Sequence, residues 1–100
     1  GVSDMMGKYR EMKAAHPDAL YIFRDRESCE LYGDDAVAAS KILGIAIAGH
    51  IDGQGKSVMM LRFPFRELDV HLPRLVDAGN RVAVCERIEP ARPNEPDNYQ

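Results

Sequence analysis

No apolar run in this sequence approaches the ~18 residues that a bilayer span needs, and no charged-then-apolar leader opens it. Cysteine is scarce. Cys29 and Cys85 lie far apart without CxxC spacing, whereas a secreted disulfide scaffold carries more. The pair reads as reduced thiols of a cytoplasmic protein, with a bridge between them as the alternative. A basic excess is missing too: 13 Lys and Arg against 16 Asp and Glu give a net charge of −3. Modules that grip nucleic acid unaided draw most of their affinity from neutralising phosphates. Any DNA contact here must therefore come from a local arrangement, or be helped by neighbouring domains. Internal repeats are absent.

What is present is the composition of an ordinary globular domain. Its 100 residues are 45% hydrophobic and 29% charged, enough for one core and too few for two. A chain of this length buries roughly two-thirds of its unfolded surface and gains a folded state ~5–10 kcal/mol deep. No initiator Met precedes Gly1-Val2, so the chain is expected to be a piece of a longer protein.

Ser3 or Asp4 can cap a first helix running to about Ala15, with Met5, Met6, Tyr9 and Met12 on one stripe. His16-Pro17 ends it, because proline disfavours helical geometry in the residue before it. Leu20 to Phe23 reads as a buried strand, and Ser28 to Tyr32 as its continuation or partner. Gly33 breaks the pattern. Asp34 is expected to cap a second helix through Leu43, with Ala36, Ala39, Ser40 and Leu43 inward and Gly44 free to take positive φ. Ile45 to Ala48 and Val58 to Phe63 read as strands joined by the glycine-rich connection from Gly49 to Lys56. A third helix shows Leu68, Leu72, Leu75 and Val76 at helical spacing. Pro73 makes it either start late, near Asp69, or kink. Arg81 to Glu86 is the last strand, and the chain from Glu89 is polar with Pro90, Pro93 and Pro96. The expected organisation is a folded domain over 3–89 and a proline-rich linker or tail over 90–100. The expected fold class is α/β, a mixed β-sheet flanked by about three helices.

Gly53-Gln54-Gly55-Lys56-Ser57 invites a phosphate-loop reading that fails on two counts. The required earlier glycine is His50, and Val58 to Leu61 looks like a strand where a helix must begin. His16, His50 and His71 lack i,i+4 metal-ligand partners, so neither a metal nor a cofactor is expected. Cys29 has no histidine or helix start nearby to activate it. Asp34 and Asp35 are accounted for as helix capping, and Glu27 and Glu30 face opposite sides of a strand. No paired-carboxylate engine emerges, and the chain reads as non-enzymatic.

Three segments in order carry a family resemblance. They are Met5-Met6-x-x-Tyr9-x-x-x-Lys13-x-x-His16-Pro17-Asp18, then Glu30-Leu31-Tyr32-x-Asp34-Asp35-Ala36-x-x-Ala39-Ser40, then Phe63-Pro64-Phe65 with Leu72-x-x-Leu75-Val76-x-x-Gly79 and Val82-Ala83-Val84-Cys85-Glu86. Together they span roughly residues 3 to 90 and resemble the N-terminal, mismatch-reading domain of the MutS family of DNA repair proteins. The resemblance implies a non-catalytic DNA-binding module, because the family's ATPase lies in a separate, later domain. It also implies a monomeric isolated domain, since family members dimerise through other domains.

One departure bears on function. The family reads mispaired bases with a Gly-Asp-Phe-Tyr-Glu-type motif, whose Phe wedges against the base while the Glu hydrogen-bonds it. Here the stretch is Arg26-Glu27-Ser28-Cys29-Glu30, with Ser28 in the wedge position and Glu30 matching the family's Glu. Unstacking a base costs a few kcal/mol, and an aromatic face recovers ~1–3 kcal/mol of that. Serine has no such face. Glu30 would repel a polyanion unless protonated or well paired. Arg26 replaces the family's Gly, and Arg66 the His after the Pro-aromatic pair, so both add positive charge. The expected contact face comprises Arg24, Arg26, Ser28, Glu30 and Arg66. It should hold double-stranded DNA weakly, with help from other domains and with mismatch specificity weakened or lost. The rival expectation is a protein-interaction or scaffold module that keeps the fold without binding DNA.

Overall fold

A computed structural model describes residues 2–51 and 54–86, with the side chains of 5–49, 51 and 54–86. The expected tail over 90–100 and a capping role for Ser3 or Asp4 lie outside the described residues and side chains. The first helix, α1 (Val2–Ala15), leads through His16-Pro17 into strand β1 (Ala19–Asp25). A two-residue turn at Arg26-Glu27 returns the chain as β2 (Ser28–Tyr32), the antiparallel partner of β1. Helix α2 (Gly33–Leu43), β3 (Ala48–Ile51), β4 (Ser57–Pro64), a 3₁₀ turn at Phe65–Glu67, α3 (Leu68–Asp77) and β5 (Arg81–Glu86) follow. The five strands form one sheet in the order β3-β4-β2-β1-β5. Only β1 and β5 run parallel among these pairs.

Period-two alternation divides the apolar residues between two faces of the sheet. On one face Leu20, Ile22, Cys29, Leu31, Leu61 and Phe63 pack with Ala36, Ala39 and Leu43 of α2 and Leu75 of α3. On the other, Tyr21, Phe23, Tyr32, Val58 and Met60 meet Met5, Met6 and Tyr9 of α1. The expected mixed sheet with three helices is the fold observed.

Three local expectations are corrected. Residues 44–47 are not a strand. Ile45 and Ile47 pack against the α2/α3 core without a ladder partner, and the Ser40 hydroxyl donates to the Ile45 carbonyl. The helix cap at α2 is also different. Gly33 itself opens the helix at φ 57, where the Tyr9 ring would lie 3.4 Å from an added Cβ, and no side chain caps the start. Asp35 points inward instead. Its carboxylate accepts the Tyr21 backbone N–H at 3.0 Å and Lys13 Nζ at 2.8 Å, while Lys13 also donates to the Ala19 carbonyl at 2.6 Å. Finally, α3 takes the late start that is one of its two expected forms, at Leu68 directly after the 3₁₀ turn with Pro73 in its interior, but Val76 is not on its inner side. Its inner stripe ends at Leu75, leaving Val76 half exposed. Lys56-Ser57 leads into β4 rather than a helix, so the phosphate-loop geometry is not formed.

Candidate nucleic-acid interface

The β1–β2 turn forms one tip of the sheet. With only two residues between the strands, one of them is driven to positive φ, and Arg26 takes φ 59. It is the sole non-glycine residue in that region among the described residues, and such a conformation costs on the order of 1 kcal/mol. The neighbouring loop is tied to this turn by one backbone bond, Phe65 N–H donating to the Glu27 carbonyl at 2.8 Å. That bond sets Arg66 beside the tip. Arg26, Glu27 and Arg66 are exposed.

Arg24 belongs to the tip but is committed inward. Its guanidinium lies 3.4 Å from the centroid of the Phe65 ring, donates through Nε to the Arg26 carbonyl at 3.1 Å, and pairs through Nη1 with Glu86 at 3.2 Å. Stacking of this kind contributes about 0.5–1 kcal/mol at a partly exposed site. The expected contact residue is therefore also a brace joining the turn, the Phe65 loop and the end of β5.

Ser28 opens β2 opposite Asp25 on one side and Pro64 on the other. It is half-buried at the sheet's end rather than deep in the core. Its hydroxyl is shielded from solvent and has no hydrogen-bond partner among the described residues. Glu30 lies two residues further on, on the same face. The expectation of Glu27 and Glu30 on opposite strand faces is corrected, since Glu27 sits in the turn. Glu30 is only 7% exposed, and both its carboxylate oxygens are engaged. The Tyr32 hydroxyl donates to Oε1 at 2.7 Å. Arg62, directly across on β4, donates to Oε2 through Nη2 at 2.7 Å and Nε at 3.0 Å. Burial, followed by the bond to Glu30, pushes the Tyr32 hydroxyl well above the usual tyrosine range. The isolated repulsive charge anticipated for Glu30 is thus well paired.

Sequence reading missed Arg62, although a signal existed. Alternation along β4 sets it on the face that carries buried Val58 and Met60, and a charge at that register calls for a partner. Cys29 faces the opposite core, where burial raises its thiol pKa and disfavours the thiolate. Among the described residues no His, Cys, Asp or Glu cluster could hold a metal ion, and no helix is long and apolar enough to cross a membrane.

Comparison with known proteins agrees with this architecture. The profile of the family described as MutS domain I matches residues 3–96. A protein of Phocaeicola vulgatus named DNA mismatch repair protein MutS is 49% identical over 88 residues, which is 88% of this chain and 10% of that protein. Namesakes from Bacteroides thetaiotaomicron and Salinibacter ruber are 45% and 40% identical over 85 and 91 residues, again 10% of each. The chain thus spans about a tenth of the length of these relatives. By both measures, it belongs to the MutS domain I family.

Proposed function

We propose that the chain is a non-catalytic module of DNA mismatch repair that touches the duplex through its β1–β2 tip and has weakened or lost mismatch specificity. The observation that carries this reading is the tip itself, where exposed Arg26 and Arg66 stand on two loops joined by one backbone bond. Two guanidinium groups on such a projection suit phosphate oxygens of either strand. Ser28 offers no ring to hold an unstacked base, and Glu30 is occupied by Tyr32 and Arg62. Contact to backbone without base reading is the chemistry left. With net charge −3, the tip contributes a few phosphate contacts to a larger protein rather than binding tightly by itself. Within that protein the module works in the cytoplasm and is itself monomeric.

Fluorescence anisotropy of the chain on matched and mismatched duplexes tests this. Equal, weak binding is expected at ~50 mM salt, falling steeply as salt rises. Binding that prefers the mismatch would defeat the claim of lost specificity. No binding to either duplex would favour a protein-interaction module that keeps the fold, a reading to which the acidic balance and the occupied Glu30 also point.

A further inference from the structure

We propose that Arg62 sets the specificity of the tip by holding the Glu30 carboxylate away from DNA bases, so that a guanidinium stands where a carboxylate would otherwise read. The inference rests on the DNA-contacting reading above. Arg62, Glu30 and Phe23 occupy one row across β4, β2 and β1, and Pro64, Ser28 and Asp25 form the next row toward the tip. A base drawn out against Ser28 would approach Glu30 from that row. The carboxylate it would meet is 7% exposed, with Tyr32 on one oxygen and Arg62 on the other. Arg62's side chain is 55% exposed, so it is the outer member of the pair and the group that DNA meets first.

The consequence is chemical. A carboxylate accepts hydrogen bonds and so selects base edges that donate. A guanidinium donates, and every base as well as every phosphate carries acceptors for it. Substituting the second for the first replaces a discriminating contact with one that suits any duplex. Two N–H groups on one oxygen also make the pair stronger than a single contact, so a passing base does not open it readily. Arg62 is thus a specificity-determining position, acting through Glu30.

The test compares the wild-type chain, Ser28→Phe, Ser28→Phe/Arg62→Ala, and the latter with Glu30→Gln, each on a G·T-mismatched and a matched duplex. Loss of Arg62 as a phosphate contact lowers both affinities alike, so the ratio of the two reports base reading alone. The ratio should stay near one for Ser28→Phe. It should rise at least ~5-fold when Arg62 is also removed, the factor that ~1 kcal/mol from a hydrogen bond between the freed Glu30 carboxylate and the mispaired base supplies. Glu30→Gln should bring it back. Arg62→Gln in place of Arg62→Ala guards against loosening of β4. A full preference in Ser28→Phe alone, or a ratio unmoved by either Arg62 substitution in chains that do bind, would overturn this inference and leave the DNA reading intact. If no variant binds either duplex, the DNA reading itself fails and takes the specificity role with it. In the free chain the pairing has its own readout. The Arg62 Nε–H proton should exchange slowly in an NMR spectrum and be lost in Glu30→Gln; its absence from the wild type would overturn the sequestration directly.

Discussion

Asp35 and Glu30 are both buried carboxylates, placed toward opposite ends of β1, and they are held in different ways. Asp35 is 1% exposed and joins three elements, taking Lys13 from α1 and the Tyr21 N–H from β1 onto α2. Glu30 is paired within the sheet, to Tyr32 on its own strand and Arg62 on the next. Lys13 is largely covered, whereas Arg62 is half in water. The first pair is mostly covered and serves assembly. The second lies within the sheet and keeps its guanidinium in contact with water.

Substitution at the two sites should separate these roles. Asp35→Ala leaves the covered Lys13 ammonium without its counter-charge and the Tyr21 N–H without an acceptor, and should cost ~3 kcal/mol in a urea melt. A loss under 1 kcal/mol would remove the distinction. Glu30→Gln keeps the shape and the contact with Tyr32 while Arg62 rehydrates, so about 1 kcal/mol is expected by the same measurement.

The tyrosines beside the two acids give an alkaline contrast. Burial first, then the Asp35 charge, pushes Tyr9 up from 10.0 to about 12, and Tyr32 beside Glu30 is raised further. A hydroxyl whose folded pKa exceeds its unfolded value favours the folded chain while protonated. That contribution is whole below pH ~10 and is lost as pH climbs through the folded value. The urea midpoint should therefore fall above pH 10, and Tyr9→Phe should lessen the fall between 10 and 12. An unchanged pH profile in Tyr9→Phe would contradict this. The smallest effect belongs to the turn. Arg26→Gly relieves the positive φ and should raise stability by ~0.5–1 kcal/mol, while weakening duplex binding if the tip is the contact.

Much of this was legible in the chain. The split of β1, β2 and β4 into two apolar faces follows from alternation, and Gly44 ends α2 at φ 72 as its position predicts. What escaped was decided by partners remote in sequence. Ile45-Ala46-Ile47-Ala48 alternates like a strand, yet β4 offers partners only to 48–51, so pairing starts late. Asp34-Asp35 resembles a cap until Lys13 and the Tyr21 N–H are brought to the second acid. The occupied state of Glu30 depends on Arg62, which is 32 positions away and meets it only through the register of β2 on β4. The stacking of Arg24 on Phe65 likewise needs the loop after β4 to be in place.

The parallel seam between β1 and β5 has a kinetic consequence. The Arg24–Glu86 bond joins positions 62 apart, and closing so long a loop is slow compared with zipping the adjacent β1–β2 ribbon. The last strand is therefore expected to dock late. Because Glu86 steadies Arg24, the tip takes its final arrangement only once that strand is in place.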